Sequence, residues 1–338
     1  SSAASDVYKR QTLSNLMKPC YLLDEKACVK KGKKNANATD VSLNFDSCKE
    51  SLDFCKENGI KMRGHTLVWH NQTPEWFFKK NYDAKKGYVS KKVMAKRMEN
   101  YIKGVLEYCK KNYPGVVYCF DVVNECVDDG TGDDSVNWNC RTTFNGGDNF
   151  WYATMGTDYV EKAFTYARKY AEKGMKLIYN DYNVYVPAKE QNIYNLVKGL
   201  KEKNLIDGIG LQPTVDLYNP DELKGDSYDS FENCLKKYAE LNVDIQIREL
   251  SFKIDEETGE RDEKSLKRQA DRYQEMFELL KKMDTASGGP CNITSVTVFG
   301  ICDDYPLYDD LVQCLYLWNK NAKPKESFYR VREVGESK

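Results

Sequence analysis

Short apolar, β-branched runs alternate along the chain with longer amphipathic stretches rich in lysine and glutamate. The apolar runs predict strands at residues 61–69, 116–124, 175–182, 208–212, 243–250 and 295–301. The amphipathic stretches predict helices at residues 91–111, 159–173, 190–203, 230–240 and 265–282. Because strand and helix follow each other repeatedly without a Pro/Ser-rich linker, the pattern predicts an α/β fold with a parallel sheet.

The phosphate-binding turns typical of doubly wound sheets do not occur in this sequence. It contains neither GxGxxG nor GxxxxGK[ST]. A closed (β/α)8 barrel is therefore favoured, and 338 residues lie within the size range of a single barrel. In such a barrel the chemistry lies at the carboxyl ends of the strands.

Charge and composition exclude several classes of function. The 51 basic and 52 acidic residues leave a net charge of −1, unlike the basic surface of a nucleic-acid binder. No apolar run reaches the roughly 20 residues of a membrane span. The only two histidines, His65 and His70, cannot build a His-rich metal site, so carboxylates are the default catalytic candidates. We expect no metal, no cofactor, no nucleic-acid partner and no membrane association.

The twelve cysteines form no CxxC pair, which excludes zinc-ribbon and thioredoxin-like sites. Two interpretations remain open. A chain of this size does not need a disulfide framework, so most cysteines are expected to be buried free thiols. One or more disulfides are the alternative.

The first eleven residues, SSAASDVYKRQ, correspond codon by codon to a transposase adapter used in shotgun sequencing libraries. We predict that residues 1–11 are an adapter-derived artefact and that residues 12–338 belong to the natural protein. The lack of a signal peptide in this sequence therefore does not bear on secretion.

Two predicted strands end in a glutamate. Asn124 and Glu125 end the strand FDVVNE, and Glu249 ends VDIQIRE. A structural salt bridge is the simpler interpretation of either residue alone. At one face of a barrel, however, two strand-terminal carboxylates are what glycosidic cleavage requires. Other strand ends carry hydrogen-bonding and stacking groups suited to a neutral, polyhydroxylated substrate, namely His65, Trp69, Asn180, Asp181, Tyr182 and Gln212.

Taken together, five motifs resemble glycoside hydrolase family 10. They are GHTLVWHNQTPEWF (64–77), FDVVNE (120–125), LIYNDYN (177–183), GIGLQ (208–212) and VTVFGICDDY (296–305). The resemblance extends from residue 12 to about residue 331. It implies a (β/α)8 barrel and the retaining endo-hydrolysis of β-1,4-xylosidic linkages in xylan, by a double displacement that uses two glutamates.

The resemblance also implies roles for individual residues. Glu125 matches the general acid/base, Glu249 the nucleophile, and Asn124 the amide that binds the sugar 2-hydroxyl. In a retaining mechanism the two carboxyl groups lie about 5–5.5 Å apart. The resemblance also implies that seven further residues bind the substrate: Asn15, Lys18, His65, Trp69, Tyr182, Gln212 and Phe299.

The sequence departs from the family pattern around the nucleophile and on the glycone side. A Ser-His pair is replaced by Pro213-Thr214, and an Asp by Ser251, so the usual support of the nucleophile is missing. We predict that Thr214 and Ser251 form a replacement network behind Glu249. Two usual tryptophans are replaced by Phe299 and Leu307, and a glycone-binding carboxylate by Ser14.

The family's first strand, first helix and the beginning of its second strand have no counterpart in the sequence. We therefore predict a barrel that lacks these elements and is poorly stable alone, because two strand edges stay unpaired. Two alternative functions remain: a non-catalytic xylan-binding descendant, or a β-glycanase with a shifted sugar specificity. We expect a monomer located outside the cell or on its surface, because a polymeric substrate cannot enter a cell.

Overall fold

The computed structural model describes residues 10–216, 228–253, 263–300, 302–303 and 316–337. Contacts between Cα atoms divide the chain into two units, which are described separately. The first unit comprises Ser1–Asn180 and Asn195–Gly208, and the second comprises Asp181–Tyr194 and Ile209–Lys338.

The first unit alternates strands and helices. Its strands are β1 (Arg10–Thr12), β2 (Lys61–Trp69), β3 (Val117–Asn124), the short pair β4 (Thr143–Phe144) and β5 (Gly147–Asp148), and most of β6 (Lys176–Tyr182). Its helices are α1 (Pro19–Leu22), α2 (Glu25–Gly32), α3 (Asp46–Asn58), α4 (Lys91–Asn112), α5 (Phe150–Met155) and α6 (Asp158–Tyr170). Two short 3-10 helices, Glu75–Phe78 and Lys80–Tyr82, lie between β2 and α4.

Strands β1, β2, β3 and β6 form a parallel sheet in that order. Gly64 pairs with Phe120 between β2 and β3, and Asn124 pairs with Asn180 between β3 and β6. Seven consecutive residues of β2 are buried, which is typical of a parallel strand covered on both faces. Since all four strands run in the same direction, their carboxyl ends meet at one edge.

A buried arginine fixes the long segment between β2 and α4. Arg97, on α4, donates hydrogen bonds of 2.8 Å to the carbonyl oxygens of Ala38, Phe77 and Lys79. It also lies 3.7 Å from the ring centroid of Tyr82. Because a buried guanidinium needs acceptors for its N–H groups, these contacts hold this segment, and the loop with Ala38 between α2 and α3, against α4.

The second unit contains the remaining elements. They are the end of β6, the first half of α7 (Pro187–Glu202), β7 (Gly208–Gln212), β8 (Thr214–Asp216), α8 (Tyr228–Ala239), β9 (Asp244–Lys253), α9 (Glu263–Met283), the 3-10 helix Thr285–Ser287, β10 (Ile293–Val298) and α10 (Glu326–Glu336). Strand β9 pairs in parallel with β10, where Ile245 is opposite Ile293. It also pairs with β8, where Ser251 is opposite Thr214.

The predicted elements agree closely with the observed ones. The strands predicted at 61–69 and 208–212 have those same bounds, and the five predicted helices differ at each end by no more than three residues. The last predicted strand, 295–301, is shifted, because β10 begins at Ile293 and ends at Val298. Its predicted last residue, 301, lies outside the described residues. β1 and α1–α3 were not among the predicted elements.

The described cysteines include buried, unbridged thiols such as Cys28, Cys48, Cys55 and Cys109. Burial raises the pKa of Cys48 to about 11 and that of Cys109 to about 12. These four residues therefore behave as small apolar side chains, in agreement with the free-thiol interpretation. In the described ranges, no helix combines the length and the apolar character needed to cross a membrane.

Candidate active site

Glu125 follows directly after β3 in an unusual backbone conformation. Its φ is 53°, a left-handed value that non-glycine residues rarely adopt and that clusters at functional sites. Its backbone N–H donates to Asn180 O at 2.9 Å, and its carbonyl accepts from Arg141 Nε at 3.1 Å. These two bonds hold the turn and direct the half-buried side chain at the strand edge.

Trp69, at the end of β2, contacts the Glu125 carboxylate directly. Its indole Nε1 donates to Glu125 Oε2 at 3.0 Å. On the other side, Lys18 Nζ lies 4.6 Å from the centroid of the indole ring and donates to Asn15 Oδ1 at 2.8 Å. The structure thus connects Asn15, Lys18, Trp69 and Glu125, four of the predicted site residues, in one chain of contacts.

His65 is held by a buried acid. Its Nδ1 lies 2.8 Å from Oδ2 of Asp121, which is fully buried. The same carboxylate binds Arg63 through Nε at 2.9 Å and through a second, shorter bond from Nη2. Burial alone would lower the pKa of Arg63, but the Asp121 charge outweighs it and raises the pKa above its ordinary value. Arg63 is therefore permanently cationic and is the buried counterion of the Asp121 carboxylate.

Asn124 carries a buried amide with an unused donor. Its Oδ1 accepts from Asn180 Nδ2 at 2.8 Å. Its own Nδ2 is buried and has no hydrogen-bond partner among the residues described. Because a buried donor without a partner is costly, such an amide is typical of a site that awaits a ligand acceptor.

In the second unit, Glu249 lies on β9 with a φ of 51° and a half-buried side chain. Gln212, at the end of β7, donates from Nε2 to Glu249 Oε1 at 3.1 Å. The backbone N–H of Phe299 donates to Leu250 O at 3.0 Å, which places Phe299 beside this strand. Gln212 and Glu249 thus lie on neighbouring strands of this unit, and Phe299 directly follows β10. Glu249 lies inside β9, which continues to Lys253, and not at the end of the strand as the sequence predicts.

Ser251 is buried on β9, opposite Thr214 of β8 in the parallel register. The backbone pairing therefore brings the two positions side by side, as the predicted replacement network requires. The side chain of Thr214 is outside the described part of the structure, so the hydroxyl network itself stays a prediction. Leu307, expected on the glycone side, also lies outside the described residues.

Tyr182, the last residue of β6, is held by an ion pair. Lys189 Nζ lies 3.0 Å from Asp181 Oδ1 and 3.4 Å from the centroid of the Tyr182 ring. Lys189 and Asp181 are both buried. Asp181 Oδ1 also accepts the backbone N–H of Tyr182 at 2.8 Å. The ring of Tyr182, a predicted sugar-binding residue, is therefore held in one orientation by Lys189.

Several site residues were missed by the sequence analysis. Arg63, Asp121 and Lys189 support predicted residues, and Asn180, noted only as a strand-end amide, orients Asn124. Gln72, three residues after Trp69, has a positive φ of 49° and a buried Oε1 without a partner among the described residues. The available signal was a charged or amide side chain inside or just after an otherwise apolar strand.

The described residues contain no cluster of three or more His, Cys, Asp or Glu side chains that could hold a metal ion. The chemistry available at this site is that of carboxylates, amides, aromatic rings, the Lys18 ammonium and the His65 imidazole. Such groups can protonate an oxygen, attack a carbon and bind hydroxyl groups.

Comparison with known proteins places the sequence among polysaccharide hydrolases. Residues 2–334 match the sequence model described as "Glycosyl hydrolase family 10". The chain is 56% identical over 320 residues to a "Putative endo-1,4-beta-xylanase" of Caldicellulosiruptor saccharolyticus, covering 94% of this chain and 97% of that protein. It spans between 24% and 48% of the length of five longer curated xylanases.

Solved structures agree with this result. The N-terminal endo-1,4-beta-D-xylanase of Clostridium thermocellum, complexed with xylohexaose, superposes with a TM-score of 0.84 at 33% identity, covering 96% of this chain and 60% of that one. The intracellular xylanase of Thermoanaerobacterium saccharolyticum, in a mutant complex with xylotriose, gives a TM-score of 0.76 at 29% identity, covering 96% of this chain and 87% of that one.

Proposed function

Because the chain belongs to glycosyl hydrolase family 10, we propose that Glu125 and Glu249 form its catalytic pair. The fold is the (β/α)8 barrel of that family, and the absence of its first strand, its first helix and part of its second strand stays a prediction. The activity is the endo-hydrolysis of β-1,4-xylosidic linkages in xylan with retention of configuration.

One observation supports the catalytic role of the two glutamates above all others: their backbone conformation, burial and hydrogen bonding are alike. Glu125 directly follows the parallel strand β3 and Glu249 lies within the parallel strand β9, with φ values of 53° and 51°. Each is half-buried and accepts one side-chain N–H from the neighbouring strand, at 3.0 Å from Trp69 and at 3.1 Å from Gln212. A repeated strained conformation with a dedicated donor is unusual for surface glutamates, which favours catalysis over structural salt bridges.

The reaction then follows two displacements. Glu249 attacks the anomeric carbon while Glu125 transfers its proton to the leaving glycosidic oxygen, which breaks the bond and forms a glycosyl ester on Glu249. In the second step Glu125 takes a proton from water, whose oxygen displaces Glu249 from the same carbon. The first proton is thereby replaced, and both carboxyl groups return to their starting states.

The remaining predicted residues would bind the sugars. We propose that Asn124 Nδ2, the buried donor without a described partner, binds the 2-hydroxyl group in the transition state. Lys18 and Asn15, joined at 2.8 Å, supply a charged donor and an amide, and Trp69 supplies a stacking face. His65, Tyr182, Gln212 and Phe299 complete this set of substrate-binding side chains.

The nucleophile lacks the usual His and Asp support of the family. We propose that Thr214 and Ser251, opposite each other on β8 and β9, take over part of that role. Neutral hydroxyl groups bind a carboxylate less firmly than charged partners do. Gln212 is consequently the principal described donor to Glu249.

The location, the oligomeric state and the partners of the protein are proposals. Because xylan is a polymer, we propose that the protein acts outside the cell or at its surface, as a monomer without nucleic-acid or membrane partners. Detection of the protein in the medium or on the surface of producing cells tests the location. An exclusively cytoplasmic pool would overturn it.

Turnover of an aryl β-xylobioside, with the anomeric configuration of the first product followed by NMR, tests the function. We expect a β-configured first product, and loss of turnover in Glu249→Gln. In Glu125→Ala, activity on a dinitrophenyl leaving group should persist, because the departure of this group needs no acid. Azide should increase that activity, because it attacks the glycosyl ester on Glu249 without needing Glu125 as a base. Glu107→Gln, at an exposed glutamate of α4, is the control. Xylan binding without turnover would instead identify a non-catalytic binding protein.

A further inference from the structure

We propose that a cavity between the β4–β5 hairpin and the segment after β2 is an accessory site for one neutral sugar residue of the polysaccharide. The cavity has a volume of about 450 Å³, and its lining includes His70, Glu75, Lys79, Tyr88, Phe144 and Asp148. None of these residues belongs to the catalytic or substrate-binding set described above.

One wall of the cavity is the β4–β5 hairpin. Asn145 and Gly146 occupy its turn with φ values of 49° and 77°, the conformation that a two-residue hairpin of the right twist requires. Phe144 pairs with Gly147 across the hairpin. Its ring centroid lies 4.7 Å from that of His70, at an interplanar angle of 56°. The aromatic face of Phe144 is therefore fixed before any ligand arrives.

The opposite wall is tied to the hairpin by polar contacts. Tyr88 donates its hydroxyl to Asp148 Oδ2 at 2.8 Å, and its ring lies 3.7 Å from Lys79 Nζ. Lys79 in turn pairs with Glu75 at 3.1 Å. Burial, followed by the bond to Asp148, raises the pKa of Tyr88, so its phenol remains a donor in neutral solution. The cavity is thus bounded by side chains that already hold each other in place.

The lining chemistry fits a neutral, hydroxyl-rich ring. Glu75 and Asp148 bring two carboxylates, whereas Lys79 brings one ammonium that is already paired, so an anionic ligand would be repelled. Within the described ranges, no group of three metal-ligating side chains exists to hold a cation. Sugar hydroxyls can donate to the carboxylates, and the apolar face of a sugar ring can pack on Phe144.

The cavity lies close to the acid/base. His70 lines it, and the His70 ring centroid is 5.9 Å from that of Trp69, whose N–H binds Glu125. A sugar held in the cavity can therefore belong to the same polysaccharide whose bond is cleaved at Glu125, as a branch or a neighbouring unit. This inference rests on the proposed function.

The test is equilibrium depletion of the protein on insoluble xylan in a Glu249→Gln background, which prevents hydrolysis. Phe144→Ala is expected to raise the dissociation constant about 2- to 12-fold, by analogy with aromatic contacts elsewhere. Asp148→Asn, which removes one charge and leaves the other side chains of the hairpin unchanged, is expected to weaken binding as well. Phe54→Ala, at an exposed phenylalanine of α3, and Asp134→Asn, at an exposed aspartate, are the control variants and should bind as the parent does.

The outcomes separate this inference from the proposed function. If the Glu249→Gln parent binds xylan and both cavity variants bind like their controls, the accessory site is wrong while the proposed function stands. If the parent does not bind xylan and the unmodified chain does not turn over aryl β-xylobioside, both proposals fail. The accessory site is supported if Phe144→Ala and Asp148→Asn bind xylan more weakly than the Glu249→Gln parent while both control variants bind as the parent does.

Discussion

Asp121 Oδ2 lies 2.8 Å from His65 Nδ1, and the same carboxylate is paired with the buried Arg63. An ionised carboxylate can only accept hydrogen bonds, so Nδ1 of His65 must carry a proton. In neutral His65 the lone pair then belongs to Nε2, and the ring is held in one orientation. The buried pair therefore sets the tautomer of a proposed sugar-binding residue.

Asp121→Asn is expected to destabilise the protein by about 3–5 kcal/mol, because the buried Arg63 guanidinium loses its counterion. The free energy of unfolding in urea measures this effect. Asp158→Asn, which removes an exposed pair with Lys91 at 2.5 Å, is the control and should change little. Equal losses in the two variants would show that the buried pair has no special role in stability.

The long elements were predictable because their hydrophobic periods are clear. The strand 208–212, GIGLQ, is apolar up to its last residue, and α4 shows its buried face at helical spacing. β1 has only three residues and no apolar pattern. α3 was missed because two of its three buried residues are cysteines, Cys48 and Cys55, which flank Leu52 at helical spacing. Counting cysteine as apolar would have revealed this helix.

The strand-end residues were predictable, whereas their supports were not. Glu125 and Trp69 follow apolar runs, and this position marks chemistry in a barrel. Asp121 lies inside such a run, and its partner His65 is 56 positions away on the neighbouring strand. A single sequence, taken by itself, does not show which strands pair or in which register. For the same reason the amide pair of Asn124 and Asn180 emerged only from the structure.

Gln212→Ala is expected to lower kcat about tenfold to a hundredfold on dinitrophenyl β-xylobioside, because Glu249 loses a hydrogen bond to its charged carboxylate. With this leaving group the first step does not need the acid, so the assay reports on the nucleophile. Gln274→Ala removes a similar amide-to-glutamate bond on the exposed surface of α9 and is the control. An unchanged kcat in Gln212→Ala would mean that other groups position Glu249.

Asn180→Ala removes the bond that orients the Asn124 amide, while its backbone bond to Glu125 remains. We expect kcat/KM to fall about 2- to 12-fold on an aryl xyloside but not on its 2-deoxy analogue, because only the former presents a 2-hydroxyl to Asn124. Asn58→Ala, at an exposed amide at the end of α3, is the control. Equal losses on both substrates would indicate a merely structural role for Asn180.

Glu99 couples stability to pH through α4 and α6. Its carboxylate accepts hydrogen bonds from Lys96 at 2.8 Å, Lys169 at 2.9 Å and Tyr170 at 2.7 Å, and these lower its pKa from about 4.5 to about 2. A pKa that is depressed in the folded state stabilises the protein above the unfolded value. That contribution is present at pH 7 and is lost as the pH falls from about 4.5 to about 2.

Glu99→Gln is therefore expected to lower the free energy of unfolding at pH 7 by about 1–2 kcal/mol, a modest value because both lysines are exposed. The difference from the parent should shrink as the pH falls and be small near pH 2, where Glu99 is almost fully protonated in the unfolded state and about half protonated in the folded state. Urea unfolding at a series of pH values measures it. Glu107→Gln, at an exposed glutamate on the same helix, should show no such trend. A difference between Glu99→Gln and the parent that stays constant down to pH 2 would show that the charge of Glu99 is not its source.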